Sequence, residues 1–321
     1  MKKVIGMGNP LVDLLLTIKD ENILNHLDLP KGSMQLVDKK RHDSILNFFN
    51  QHDKKLAAGG SAANTIHGMA KLGAPVGYMG VIGEDEMGGF FVQDMINAGV
   101  EPHMIHSETE TGVAITLITP DSERTFATYL GASVELKPSD VREFNFSRYQ
   151  VLHIEGYQVQ NHELIETAVH MAHQAGLEIS VDLASYNVVE ENRDFLESLI
   201  RQYVDIVFAN EDEAKALTGK EPREALNDIA EMCRIAVVKT GGKGSMVKSG
   251  NEYHEIGVIP VKPIDTTGAG DLYASGFLFG LINDRPLDEC GRIGALLAGN
   301  VIEVMGSKMN YETWELIKNS I

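Results

Sequence analysis

Residues 264–271 read Ile264-Asp265-Thr266-Thr267-Gly268-Ala269-Gly270-Asp271 and run on into Leu-Tyr-Ala-Ser-Gly-Phe-Leu-Phe-Gly-Leu. The stretch reads as a strand end, a glycine-bearing turn and a helix with a carboxylate in its first turn. Gly268, Ala269 and Gly270 have almost no side chain, so a ligand can come close to the backbone. Their N–H groups belong to the unpaired donors of a helix start, where the macrodipole favours an anion such as phosphate. Asp271 is out of place beside an anion, because its charge repels the group that the loop attracts. The conflict resolves if Asp271 takes the proton from a hydroxyl attacking a phosphoryl group while the amides hold the transferred charge. A lone Gly-x-Gly-Asp is explained more plainly by a carboxylate at a helix start. The flanking Asp-Thr-Thr and the small-residue helix behind it favour the catalytic explanation here.

A second segment, Ala58-Gly59-Gly60-Ser61-Ala62-Ala63-Asn64-Thr65-Ile66, continues to Gly68-Met69-Ala70-Lys71-Leu72-Gly73. Ser61 reads as an N-cap, Ile66, Met69 and Leu72 as an apolar face, and Gly73 as the stop. Two glycines again expose amides before the helix, and Asn64 offers a donor and acceptors one turn in. The two segments together resemble the paired signatures of the ribokinase-type (PfkB) superfamily of sugar and nucleoside kinases. Their order and separation fit, and the resemblance spans nearly the whole chain. It implies a ribokinase-like α/β fold: three α/β/α layers, a mostly parallel central sheet and a small β-sheet lid. Among its branches the chain most resembles bacterial adenosine kinases of the ribokinase type.

Composition is compatible with that class. The chain has 321 residues, 43% hydrophobic and 23% charged, ordinary values for a globular protein, and its net charge is −18. So acidic a surface argues against nucleic-acid or anionic-membrane partners. An anionic nucleotide then needs local positive potential from amides and a few placed cations. Cys233 and Cys290 form neither a disulfide framework nor a metal-ligand spacing. No apolar run approaches the roughly 18 residues of a membrane span, and no signal-peptide pattern is visible, so a cytoplasmic protein is expected. The expected partners are ATP and a small nucleoside or sugar, in a monomer or homodimer.

From about residue 150 onward, strands alternate with helices: strands at 151–155, 177–183, 204–209 and 235–239, helices at 161–175, 193–202 and 211–217. That alternation predicts a parallel sheet with crossover helices. Residues 112–119 and 125–130 flank the turn Pro120-Asp121-Ser122-Glu123 with no helix between them, which predicts a hairpin. The expected organisation is one domain over 1–321, with a lid built from about 11–18, 34–38 and 100–135. Two apparent nucleotide motifs are discounted. Gly6-Met7-Gly8-Asn9-Pro10 lacks the third glycine of a dinucleotide fingerprint, and Gly241-Gly242-Lys243-Gly244 lacks the spacing of a P-loop.

By resemblance, Asp271 is the base and Gly268, Ala269 and Gly270 the anion hole. Asn9 and Asp13, in Gly8-Asn9-Pro10-Leu11-Val12-Asp13, match the opening in which adenosine kinases hold ribose hydroxyls. Gly59, Gly60 and Asn64 complete that grip, with Gln35 beside Met34 as a further pocket residue. Tyr157 aligns with an aromatic that stacks on the purine. Asn210 and Glu213, in Asn-Glu-Asp-Glu, match the Asn-x-x-Glu motif whose Glu orients Mg²⁺-bound water; the plainer reading is an acidic helix start complementing the dipole. Thr240, Gly242, Gly244 and Asn300 match the nucleotide side. Arg124 is the cation expected to reach the phosphate. Asp265 and Thr267 match positions that hold a monovalent cation, such as K⁺, in many relatives. The implied cofactors are thus ATP and Mg²⁺, with K⁺ in relatives. Two other classes remain open: a PfkB-type sugar kinase (ribokinase- or fructokinase-like) and a non-catalytic metabolite sensor, though the latter needs neither Asp271 nor its glycine loop.

Overall fold

The computed structural model describes residues 2–121 and 123–321; Ser122 of the predicted turn lies outside them. A nine-stranded sheet runs in the order 252–256, 245–249, 235–239, 206–210, 178–182, 151–155, 4–7, 76–83, 100–107. Its strands run parallel except 245–249, which is antiparallel to both of its neighbours. Period-2 alternation divides each strand between two cores. Ile206, Phe208, Ile235 and Val237 join the core built on helices Ser61–Lys71, Glu86–Ala98 and Ala269–Ile282. Val207, Ala209, Ala236 and Val238 join the opposite one, on helices His162–Gln174, Arg193–Tyr203 and Pro222–Ala230. Helices therefore cover both faces, giving three layers.

The small second sheet has the order 34–36, 124–129, 112–118, 11–17, 55–59. The hairpin forms, with Ile118 opposite Arg124. Residues 100–107 instead add the last parallel strand of the large sheet, where Pro102 is tolerated because an edge strand can dispense with one ladder donor. The expected lid also lacked Lys55–Gly59, which pairs with Leu11–Leu15.

The order in which strands are added reverses beside the first strand. Its sequence neighbours lie at 76–83 and 100–107 on one side, and the later strands at 151–155 onward on the other. In open α/β sheets the crevice at the carboxyl ends of the strands around such a switch is where ligands bind. Both connections to the small sheet leave from the same place, through Asn9 and through Gly60. At Gly60 the backbone is left-handed, φ 98°, and a Cβ would lie 2.3 Å from the Asn9 carbonyl oxygen. Glycine is therefore required for the two links to pass each other.

Candidate active site

The crevice is a cavity of about 1090 Å³, at the upper end of small-ligand sites. Four parallel strands deliver their last residues to it: Glu155, Asp182, Asn210 and Lys239. Helix Ala269–Ile282 points its N-terminus into the middle, presenting Ala269, Gly270 and Asp271. Gly268 precedes the helix in the left-handed region, φ 76°. Ala269 N–H turns back to the Thr266 carbonyl at 3.2 Å, so Gly270 and Asp271 carry the forward-facing amides of the first turn.

Asp271 is gripped on both oxygens. Ser61 Oγ donates to Oδ1 at 2.8 Å and Asn64 Nδ2 to Oδ2 at 2.9 Å, while Ser307 Oγ donates to Asn64 Oδ1 at 2.9 Å. The second signature therefore orients the Asp271 carboxylate. Ser61 is the first helical residue, with Gly60 at the cap position, so its hydroxyl is free to serve Asp271. Burial pushes the Asp271 carboxyl up to about 6, the bonds from Asn64 and Ser61 pulling it down less.

Asp13 comes from the small sheet, opposite Ala57 and Ala114, rather than from the end of the first strand. A Cβ on Gly59 would sit 2.6 Å from Asp13 Oδ2, so the carboxylate lies flat over that glycine. Burial raises it to about 6, opposed by Lys308 and Arg124. The small sheet and its end also bring Leu11, Met34, Leu36, Phe126 and Leu130 to the cavity, and Tyr157 lines it from the turn after Glu155, so that much of the lining is apolar. Gln35 is not part of that lining. Strand alternation turns Met34 and Leu36 to the cavity, and Gln35 donates to Ser33 Oγ at 3.3 Å.

Glu155 was not singled out by sequence. It accepts from the backbone N–H of Asn9 at 2.8 Å and of Ala62 at 2.9 Å, pinning both links to the small sheet, and Gln158 donates to Asn9 Oδ1 at 2.6 Å. Burial raises its carboxyl to about 7.

On the opposite side, Asn210 and Glu213 form a capping box. Asn210 Oδ1 accepts from Glu213 N–H at 2.8 Å, and Glu213 accepts from Asn210 N–H at 2.8 Å and Nδ2 at 2.6 Å. Each Glu213 oxygen keeps a further lone pair, and burial with Asp182 nearby raises its pKa. Lys239 Nζ bonds Asp182 Oδ2 at 2.7 Å, a second pair missed by the sequence reading. Gly241, Gly242 and Gly244 line the cavity; Thr240 stands behind them, its N–H and Oγ bonding the Gly244 carbonyl at 2.8 and 3.0 Å. Val258, Ile259, Ala298, Gly299 and Ile302 complete an apolar slot. Asn300 is outside it, donating to the Leu296 carbonyl one turn back at 2.8 Å.

Arg124 does not line the cavity. Its guanidinium pairs with Asp265 Oδ2 at 2.8 Å, both side chains nearly buried, and donates to Thr267 Oγ1 at 3.3 Å. Asp265 also accepts from Thr267 N–H and Oγ, at 3.1 and 2.8 Å, and from Gly306 N–H at 2.7 Å. The guanidinium thus holds the place a monovalent cation would need at this carboxylate. The signal for the missed residues was modest but present: each of these mostly apolar strands ends on a polar residue, and parallel neighbours bring those ends together.

Known proteins share this fold. Adenosine kinase from Sinorhizobium meliloti has a structure similar with a TM-score of 0.88, 34% identity, and 100% of this chain and 99% of that one covered. A probable sugar kinase from Rhizobium etli CFN 42 gives a TM-score of 0.89 with 35% identity over 99% and 98%. The 5-dehydro-2-deoxygluconokinase of Geobacillus kaustophilus is 30% identical over 76% of this chain and 78% of its own. The family profile described as pfkB family carbohydrate kinase matches residues 39–314. With that match beside a buried carboxylate at a glycine-led helix start, the chain belongs to the pfkB family of carbohydrate kinases and is a phosphotransferase acting on a hydroxyl acceptor.

Proposed function

We propose that the chain transfers the γ-phosphoryl group of ATP to the primary hydroxyl of a nucleoside, adenosine in the first place, giving AMP. The observation that carries the choice of acceptor is the apolar lining of the cavity that holds Asp13. One carboxylate, backed by Asn9, suits a pair of sugar hydroxyls, whereas Met34, Leu36, Phe126, Leu130 and Tyr157 offer apolar and aromatic area that a free sugar would leave wet. A purine fills it, with Tyr157 as the stacking surface.

In the reaction, Asp271 accepts the proton of the attacking 5′-hydroxyl, held in orientation by Ser61 and Asn64. The amides at the start of helix Ala269–Ile282 stabilise the charge gathering on the transferred group. The Gly241–Gly244 turn and the slot at Val258 and Gly299 take the nucleotide. Glu213 fits Mg²⁺ held through water, since its oxygens retain lone pairs and, among the described residues, three acidic or His and Cys ligands nowhere converge as a full protein cage requires. When bound, the ion neutralises phosphate charge. K⁺ does not fit at Asp265, which Arg124 already neutralises, and no step runs through it. Among the described residues no helix is long and apolar enough to cross a membrane; a cytoplasmic purine-salvage role goes with this reading.

A coupled ADP-release assay with adenosine, inosine, guanosine, ribose and fructose tests the proposal. It stands if adenosine gives the highest kcat/KM and falls if a free sugar does. The sugar-kinase reading draws on the similarity to the probable sugar kinase and the 5-dehydro-2-deoxygluconokinase, whereas Asn9 and Asp13 would serve either acceptor class.

A further inference from the structure

Asp13, Glu155, Asp182, Glu213 and Asp271 all face one cavity meant for a polyphosphate. Among the described residues, Lys239 is the single Lys, Arg or His side chain lining it. We propose that Lys239 is a catalytic residue that touches the transferring phosphoryl group, with Asp182 as the positioning residue that aims it. The inference rests on the kinase reading above and names the cation that reading otherwise lacks, since Arg124 is committed to Asp265.

Three features carry it. First, Lys239 is the last residue of strand Ile235–Lys239, next to the nucleotide turn at Gly241–Gly244. Second, a Cβ placed on Gly270 would lie 3.1 Å from Lys239 Nζ. An anion bound at the Gly270 amide therefore comes within reach of the ammonium, and a side chain at position 270 would crowd that approach. Third, the ammonium is held rather than mobile. Its side chain is 13% exposed, Asp182 Oδ2 takes one donor at 2.7 Å, and the remaining donors can serve a phosphate. Asp182 is fixed in turn by the Ala184 N–H at 3.1 Å, where the backbone is left-handed with φ 65°. A charge-assisted contact made only with the terminal phosphate adds to transfer and not to binding of the spent nucleotide.

The test compares wild type, Lys239→Met, and the double variant Asp182→Asn/Lys239→Met, which removes both charges of the Lys239–Asp182 pair if the single variant folds poorly. Calorimetry measures β,γ-imido-ATP, ADP and adenosine binding, and steady-state assays give kcat. Loss of the contact should weaken imido-ATP by ~10-fold or more, with ADP and adenosine changed by less than ~3-fold. Turnover should fall ~10²-fold. Equal loss for both nucleotides, or no loss for either in a folded variant, overturns the proposal. Amine-acylation footprinting of the wild-type chain needs no variant: imido-ATP should shield Lys239 and ADP should not, and equal shielding contradicts the contact. Imido-ATP binding does not depend on the acceptor, so a chain that phosphorylates none of the acceptors tested would sink the nucleoside reading while still deciding the role of Lys239.

Discussion

The two ends of the cavity are built differently. At the transfer end, three hydrogen-bonded groups, Ser61–Asp271–Asn64–Ser307, Lys239–Asp182 and Asn210–Glu213, hold bonds of 2.6 to 2.9 Å and rest on the large sheet and its helices. At the acceptor end, only burial and distant charges act on the Asp13 carboxyl. The wall opposite belongs to the edge strand of the small sheet, where Met34 is 52% and Leu36 61% exposed. On the proposed function, the first end is complete before any ligand arrives and the second is completed by the acceptor. Preorganisation matters most where charge develops in the transition state. Closing an apolar wall only on a bound acceptor limits transfer to water.

The hardest break in this contrast is Asp271→Asn, which keeps the shape of the transfer end and removes its base. We expect kcat to drop at least ~10²-fold with little change in ATP affinity; near-wild-type turnover in the purified variant would remove Asp271 from the mechanism. Tyr157→Ala strikes the other end. Loss of stacking should raise KM for adenosine by roughly 5–150-fold while leaving any ribose phosphorylation nearly unchanged. Equal proportional losses for both substrates would make Tyr157 mere packing.

A pH profile of kcat/KM separates the ends more gently. Burial raises the Asp271 carboxyl to about 6, so its working, ionised form is lost as pH falls through that value. From Asp271 alone, activity one unit below should be down about tenfold from its plateau. Asp13 is raised to about 6 as well, so the acid limb should be steeper than one proton, and Asp13→Asn should return the slope to one. A profile flat to pH 5 contradicts both assignments. The smallest expected effect is none: replacing K⁺ by choline should leave turnover unchanged, because Arg124 fills the place at Asp265. Strong K⁺ dependence would mean that the guanidinium does not do so.

Much of this was legible in the sequence, and the gaps have physical causes. Gly268–Asp271 could be read because small residues, a turn and a misplaced carboxylate occur within one local stretch. The parallel sheet could be read from 151 onward because each strand is apolar on both faces and followed by a helix. Lys239, Asp182 and Glu155 could not be grouped. Each is a polar residue ending a mostly apolar strand, and they meet only once the strands lie side by side. Gln35 was misplaced because a three-residue strand shows no phase of alternation. Lys55–Gly59 escaped because Lys-Leu-Ala-Ala-Gly has no β-branched or aromatic residue, and it is a strand only by virtue of its pairing with 11–15.

Hydrogen–deuterium exchange on the wild-type chain, with and without saturating adenosine, tests the division most directly. A preformed transfer end and a ligand-completed acceptor end predict new protection in Leu11–Thr17, Met34–Leu36 and Arg124–Tyr129, with helices Ser61–Lys71 and Ala269–Ile282 protected alike in both samples. Protection arising in the two helices while the small sheet stays unchanged would contradict the account.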